Sequence, residues 1–221
     1  MPRVLVTGSA RGIGLELIKA LAARGDQAIA VCRRSNADLD RHAAKVITGI
    51  DVSDPATITG LTRQIGDLEL DRVIHNAGIL ETETLGESGW AESIRRQFEV
   101  NALGPLRVIH ALLPLLTKGS QIGIVSSRVG SLADNSSGGH YGYRMSKAAV
   151  NMAGVNLAHD LRSRGIAVLL LHPGYVRTGM TGGRGDKDAA TAARELVELM
   201  DRLGMAQTGT FWHAEGYALP W

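Results

Sequence analysis

The chain has 221 residues, 44% of them hydrophobic, and 24 Lys and Arg against 22 Asp and Glu, for a formal charge of +2. That length and apolar content suit one core and a single domain over 1–221, and the dispersed charge, without a basic run, argues against nucleic acid as a partner. Cys32 is the single cysteine, which leaves no disulfide framework and no metal cluster and fits a reducing cytoplasm.

Residues 3–7 read as a strand so close to Met1 that a signal peptide has no room. The strand ends at Gly8-Ser9-Ala10-Arg11-Gly12-Ile13-Gly14, and apolar positions at helical spacing follow over 15–24, closed by Gly25. Strand, glycine turn and helix in that order open a dinucleotide-binding βαβ unit. Its glycines let the backbone approach a pyrophosphate whose charge sits at the helix N-terminus. A plain tight turn is the alternative. The spacing G-x-x-x-G-x-G, with no G-K-[ST], argues against a nucleotide-hydrolysing P-loop.

A second strand is expected over 27–32. A site that prefers NAD usually carries an acid at this strand's end, to hold the ribose 2′-hydroxyl. Here Cys32 is followed by Arg33 and Arg34, and Arg11 lies in the glycine loop. These guanidinium groups can clamp a 2′-phosphate, so NADP(H) is favoured and NAD(H) stays possible; solvated surface arginines are the alternative. A third strand over 45–50 leads to Asp51 and Val52, and Asp54 or Ser53 would cap a helix over 58–65. Asp51 can accept from an adenine amino group, with Val52 against the ring, or it can simply be a turn residue. A fourth strand over 71–75 runs into Asn76-Ala77-Gly78, small residues that let the backbone come close to a cofactor.

Residues 91–116 read as one long helix, too interrupted by Pro105, Arg107, His110 and Pro114 to span a bilayer. A fifth strand over 121–125 ends at Ser126-Ser127, and 134–140 is a polar, glycine-rich loop. The next helix, 141–164, carries Tyr143 and Lys147 four apart, on one face. A fixed ammonium at roughly 6 Å, in an effective dielectric of about 20, favours a phenolate by about 2–3 kcal/mol. That spacing therefore predicts a phenol primed to exchange protons near neutral pH, against the alternative of a surface pair. A sixth strand over 166–172, a helix over 188–203 and a short strand over 209–212 complete the chain.

Thr7-Gly8-x-x-x-Gly12-x-Gly14, Asn76-Ala77-Gly78, Tyr143-x-x-x-Lys147 and Pro173-Gly174 stand in the order and rough spacing of the short-chain dehydrogenase/reductase family, which the chain resembles over nearly its whole length. Tyr141-x-Tyr143-Arg144-x-Ser146-Lys147 and an end reading Gly-x-Phe…Leu-Pro-Trp most resemble the branch with C-factor and sniffer-type carbonyl reductases.

The resemblance implies an α/β fold: a doubly wound Rossmann-type domain with a mostly parallel sheet of about seven strands and helices on both faces. It also implies hydride transfer between a nicotinamide and a small carbonyl or alcohol. Tyr143 would be the acid/base, and Lys147 would lower its pKa and hold the nicotinamide ribose. Ser127 would bind the carbonyl oxygen, with Ser126 as a structural partner. Asn101, in the wording Asn101-Ala102-Leu103-Gly104, would link the lysine to solvent through water. Pro173, Gly174, Val176 and Thr178 would close over the nicotinamide, below a short, mobile substrate lid around 178–188. His75 stands where many relatives have asparagine and is expected to be a packed residue.

Leu80, His140, Tyr141, Tyr175 and Met180 are candidates for the substrate pocket, and a small apolar aldehyde or ketone is the default substrate. Homo-oligomers occur in the family and are possible here. A second class of function, a dinucleotide-binding signal or sensor protein with little turnover, is compatible with the same fold.

Overall fold

The computed structural model describes residues 1–221. Nine strands occur: β1 (Arg3–Thr7), β2 (Gln27–Val31), β3 (Lys45–Ile47), β4 (Leu70–His75), β5 (Leu116–Val125), β6 (Ala167–His172), β7 (Val176–Arg177), β8 (Lys187–Asp188) and β9 (Thr210–His213). The helices are α1 (Gly12–Ala23), α2 (Ala37–His42), α3 (Pro55–Ile65), α4 (Trp90–Phe98), α5 (Gly104–Leu112), α6 (Tyr141–Leu161) and α7 (Ala189–Arg202). Seven strands form one parallel sheet in the order β3-β2-β1-β4-β5-β6-β9, and β7 and β8 make a separate two-residue ladder.

Alternation along the strands explains the two layers of helices. Val4 and Val6 pack with Leu17, Ile18, Leu196 and Met200 of α1 and α7 on one face. Leu5, Val73 and Ile122 pack with Leu61, Ile109 and Val150 of α3, α5 and α6 on the other. Strands buried on both sides are what a parallel sheet between helices requires. The chain steps outward from β1 to β3, then returns to place β4 on the other side of β1. That reversal opens a crevice at the carboxyl ends of β1 and β4.

Several boundaries differ from the sequence reading. β3 stops at Ile47 rather than 50, because the chain then turns through Gly49, at φ +75°. α2 was not anticipated; Asn36 starts it by accepting from the N–H groups of Asp38 and Leu39. α3 begins at Pro55, and Asp54 rather than Ser53 is the cap. The expected 91–116 helix is α4, a π-helical turn over Glu99–Leu103, and α5. Pro105 has no N–H to give the Asn101 carbonyl four residues back, so a regular α-helix could not continue there. β5 starts earlier than expected, at Leu116, and its register against β4 breaks before Gln121.

His75 and His172 stand at the carboxyl ends of β4 and β6. Both His75 ring nitrogens and Nδ1 of His172 are buried without a hydrogen-bond partner. Burial pushes both imidazoles down to about 3, and for His75 the nearby Lys147 charge acts in the same direction. The neutral form is the native one. Its stabilising effect is complete above the unfolded value of about 6.5 and is lost as pH falls toward about 3, with a slope approaching about 1.4 kcal/mol per pH unit for each ring. Urea unfolding should therefore give a lower midpoint at pH 5 than at pH 7, and His75→Asn should flatten that difference. An unchanged pH dependence in the variant would contradict the assignment.

Candidate active site

The crevice between β1 and β4 holds a cleft of about 770 Å³. Gly8, Arg11, Gly12, Ile13, Arg33, Asp51, Val52, Asn76, Ala77, Gly78 and Thr178 all line it. Two positions of the turn at its base, Gly8 and Gly14, have no room for a side chain. A Cβ on Gly8, at φ +66°, would stand 2.7 Å from Ala77 Cα. One on Gly14 would collide with the Gly8 carbonyl and stand 2.6 Å from Asn76 Nδ2. Asn76 knits the two strand ends together: Nδ2 donates to Thr7 O and Gly8 O at 3.2 Å each, and the N–H groups of Asn76 and Ala77 donate to Thr7 Oγ1 at 3.1 Å. Ser9 lies outside the cleft lining: its hydroxyl donates to Val31 O at 3.1 Å and its N–H to the same oxygen at 3.4 Å.

At the far end of the cleft, β2 finishes without an acid. Cys32 is buried, which pushes its thiol up, while Arg33 and Arg34 are exposed on the cleft wall beside Arg11. Asp51 takes the turn role that its sequence position suggested, and it also faces Arg33. Oδ1 accepts from Ser53 N at 3.0 Å and from Ser53 Oγ at 2.6 Å, as in a turn. Oδ2 lies 3.8 Å from Arg33 Nη1. The Ser53 hydroxyl is the main reason that its carboxyl is held below the usual value. Ile79 and Val100 also line the cleft. No motif marks them, since each is an ordinary apolar residue at the edge of an element.

A backbone turn with glycines at 8, 12 and 14 at the N-terminus of α1, with guanidinium groups on the wall above it, fits the pyrophosphate and ribose end of a dinucleotide.

The second half of the site is built on α6. Lys147 is 5% exposed, and its Nζ donates to Val125 O at 2.9 Å, at the end of β5. Nζ also stands 5.7 Å from the centre of the Tyr143 ring. Glycines lie on two sides of it, and Gly130 makes room for its backbone. A Cβ on Gly78 would be 3.8 Å from Nζ, and one on Gly130 would be 2.7 Å from the Lys147 backbone. Gly78 also lines the cleft, so one residue separates the lysine from it.

Asn101 is buried in the π-helical turn. Its Oδ1 accepts from Ile79 N at 2.9 Å, and its Nδ2 donates to Ile79 O at 2.8 Å and to Ser146 Oγ at 3.0 Å. Its side chain thus ties the strand-four loop to α6. Ser126 donates to Asn151 Oδ1 at 2.6 Å, while Ser127 Oγ accepts only a long bond, 3.4 Å, from Val129 N.

The expected lowering of the Tyr143 pKa is not what the protein's own groups produce. Burial pushes the phenol up to about 12, and hydrogen bonding to Ser127 pulls the other way without prevailing. Burial also brings Lys147 down to about 8, which still leaves the amine mostly charged at neutral pH. Sequence spacing predicts the pair's proximity; it is silent on desolvation, which here is the larger effect.

Pro173 and Gly174 form the turn after β6, with Gly174 at φ +90° against the Lys187 stem. Val176 is buried in β7. Thr178 reaches the cleft opposite the glycine turn: a Cβ on Gly12 would stand 3.6 Å from its methyl. Residues 176–184 are bonded within themselves, with Thr181 Oγ1 donating to Val176 O at 2.9 Å and Gly183 N to Thr178 O at 2.9 Å. No helix is long and apolar enough to cross a membrane, and no cluster of three or more His, Cys, Asp or Glu could hold a metal ion.

Residues 2–189 match the family model for short chain dehydrogenases. The chain is 42% identical to the 1-hydroxy-2-glutathionyl-2-methyl-3-butene dehydrogenase of Rhodococcus sp. (strain AD45) over 227 residues, covering 100% of both. Among solved structures it is similar to the carbonyl reductase Sniffer of D. melanogaster, with a TM-score of 0.90, 29% identity and 100% of each chain covered. The NADPH-bound carbonyl reductase from chicken fatty liver gives a TM-score of 0.89 at 27% identity, covering 100% of this chain and 99% of that one. With a glycine turn at the β1–β4 crevice and a Tyr-x-x-x-Lys helix beside it, the chain belongs to the short-chain dehydrogenase/reductase family, oxidoreductases that bind a nicotinamide dinucleotide.

Proposed function

We propose that the protein is an NADP(H)-dependent reductase of small carbonyl compounds, with Tyr143 as general acid in reduction and general base in the reverse direction. The observation that carries this reading is that Gly78 is shared: it lines the dinucleotide cleft and packs against Lys147, on the helix that bears Tyr143. When bound there, the nicotinamide would supply the hydride in reduction and accept it in oxidation.

The chain's own groups then have distinct tasks. Ser127 donates a hydrogen bond to the carbonyl oxygen and stabilises the charge that develops on it. Tyr143, with a pKa near 12, is fully protonated at neutral pH and can give its proton to an alkoxide, which is the stronger base. The phenolate left behind is stabilised by the Lys147 ammonium next to its ring. Lys147 also holds the nicotinamide ribose. The Asn101 side chain is committed to Ile79 and Ser146, so a water link from lysine to solvent would use its main-chain carbonyl, which Pro105 cannot partner.

Arg11, Arg33 and Arg34 support the choice of NADP(H), as does the likeness to an NADPH-bound reductase. Val176 and Thr178 hold the carboxamide side, beneath a lid around 178–188. Leu80, His140, Tyr141, Tyr175 and Met180 give the substrate side an apolar character.

NADPH oxidation with a panel of aldehydes and ketones tests this. Tyr143→Phe should lower kcat by about 10²–10⁴-fold while NADPH binding is unchanged. Tight NADPH binding with no turnover of any carbonyl by the wild type would instead favour a sensor. Arg33→Ala combined with Arg34→Ala should raise the KM for NADPH by about 10–100-fold and leave that for NADH nearly unchanged. An equal effect on the two cofactors would overturn the 2′-phosphate assignment.

A further inference from the structure

The loop 131–140 joins the turn after Ser127 to the helix that carries Tyr143, so it runs along the rim between the two. It has almost no core of its own. Leu132 is 76% exposed, and Gly138, Gly139 and His140 have successive φ values of +63°, +70° and +47° leading into α6. His140 is the only residue other than glycine with positive φ, and such a conformation persists only where surrounding contacts hold it.

Those contacts come from three sides. Arg128 Nε donates to Asp134 Oδ2 at 2.8 Å. Arg144, next to Tyr143, donates from Nε to Gly138 O at 3.1 Å and from Nη2 to Ser137 Oγ at 2.8 Å. The third tether arrives from a distant part of the chain: Ala133 N donates to the main-chain oxygen of Trp221 at 2.9 Å.

Trp221 is itself held. Its ring stacks on Phe211 of β9, with centroids 5.6 Å apart and planes 17° apart. Phe211 is buried with Leu170 and Leu219. Residues 217–219 run back along β9, with Tyr217 O accepting from His213 N and Leu219 N donating to Phe211 O, each at 2.8 Å. A strap built on the last sheet strand thus ends on the loop beside the catalytic pair.

We propose that Trp221 is a positioning residue for substrate specificity: by stacking on Phe211 and accepting the Ala133 N–H, it sets the 131–140 loop as one wall of the carbonyl pocket and so decides how large a carbonyl substrate fits. This rests on the reading of Ser127 and Tyr143 as catalytic. The strap touches neither the cleft nor the reacting groups, so its loss acts on the pocket's shape and not on proton transfer.

The test compares Trp221→Ala, Trp221→Phe and the wild type in two ways. Kinetics with NADPH use propanal as a small probe and phenylglyoxal as a bulky one. Trp221→Ala should change the ratio of the two KM values by about fivefold or more, with kcat for propanal and the Kd of NADPH unchanged, and Trp221→Phe should restore the wild-type ratio. Hydrogen exchange of the amides of 131–140 should be about tenfold faster in Trp221→Ala, with no change in α6 beyond residue 148. The exchange readout stands even if the wild type turns over no carbonyl, which separates failure of the tether from failure of the functional reading. Unchanged loop exchange overturns the proposal. So does a KM ratio like that of the wild type, or an equal loss of kcat for both probes that phenylalanine does not rescue.

Discussion

An ammonium group buried at the end of a β-strand sets the terms for the rest of the site. Lys147 is nearly inaccessible, and among protein groups its Nζ has one hydrogen-bond acceptor, the Val125 carbonyl. A charge in that position is tolerable only if the backbone supplies a dipole and neighbouring side chains stay out of the way. Both conditions appear in the fold. β5 ends with its carbonyl aimed at α6, and glycine at 130 leaves the space in which the lysine's helix backbone sits. Desolvation then acts on both members of the pair, lowering the amine and raising the phenol. What results is a weakly acidic ammonium beside a firmly protonated tyrosine, an arrangement suited to giving a proton to a strong base.

The same constraint links the two halves of the site. Parallel strands bring their carboxyl ends to one edge, and the reversal of strand order between β1 and β4 opens that edge into a cleft. Asn76 locks the ends of β1 and β4 together, Asn101 ties the loop after β4 to α6, and Thr178 meets the glycine turn from the far side. Each cross-link joins segments far apart in sequence. The cleft wall and the helix that carries Tyr143 and Lys147 therefore form one packed unit, with Gly78 at their junction.

Much of this was legible in the residues. A short apolar run, a glycine turn and helical spacing closed by Gly25 marked the first unit, and the four-residue step from Tyr143 to Lys147 marked one helix face. What escaped the sequence reading has physical reasons. The π-helical turn keeps an ordinary apolar pattern on both sides, and only Pro105 betrays it. The β7–β8 ladder is two residues long, below any periodicity signal. Ser9 sits in the glycine motif, yet its hydroxyl serves β2. The Tyr143 shift depends on how much of the phenol is buried, a property of packing that spacing along a helix does not encode. The Trp221 tether joins residues 88 positions apart, 221 − 133, through the backbone, so no side-chain motif could announce it.

The burial of Lys147 can be measured directly by titrating the ¹³Cε chemical shift of the labelled lysine, assigned against Lys147→Met. The account predicts a midpoint near pH 8, well below that of the exposed lysines. A midpoint at the ordinary value of about 10.4 would contradict it, because the amine would then be solvated and could not be the buried partner on which the tyrosine, the glycines and the strand end have been built.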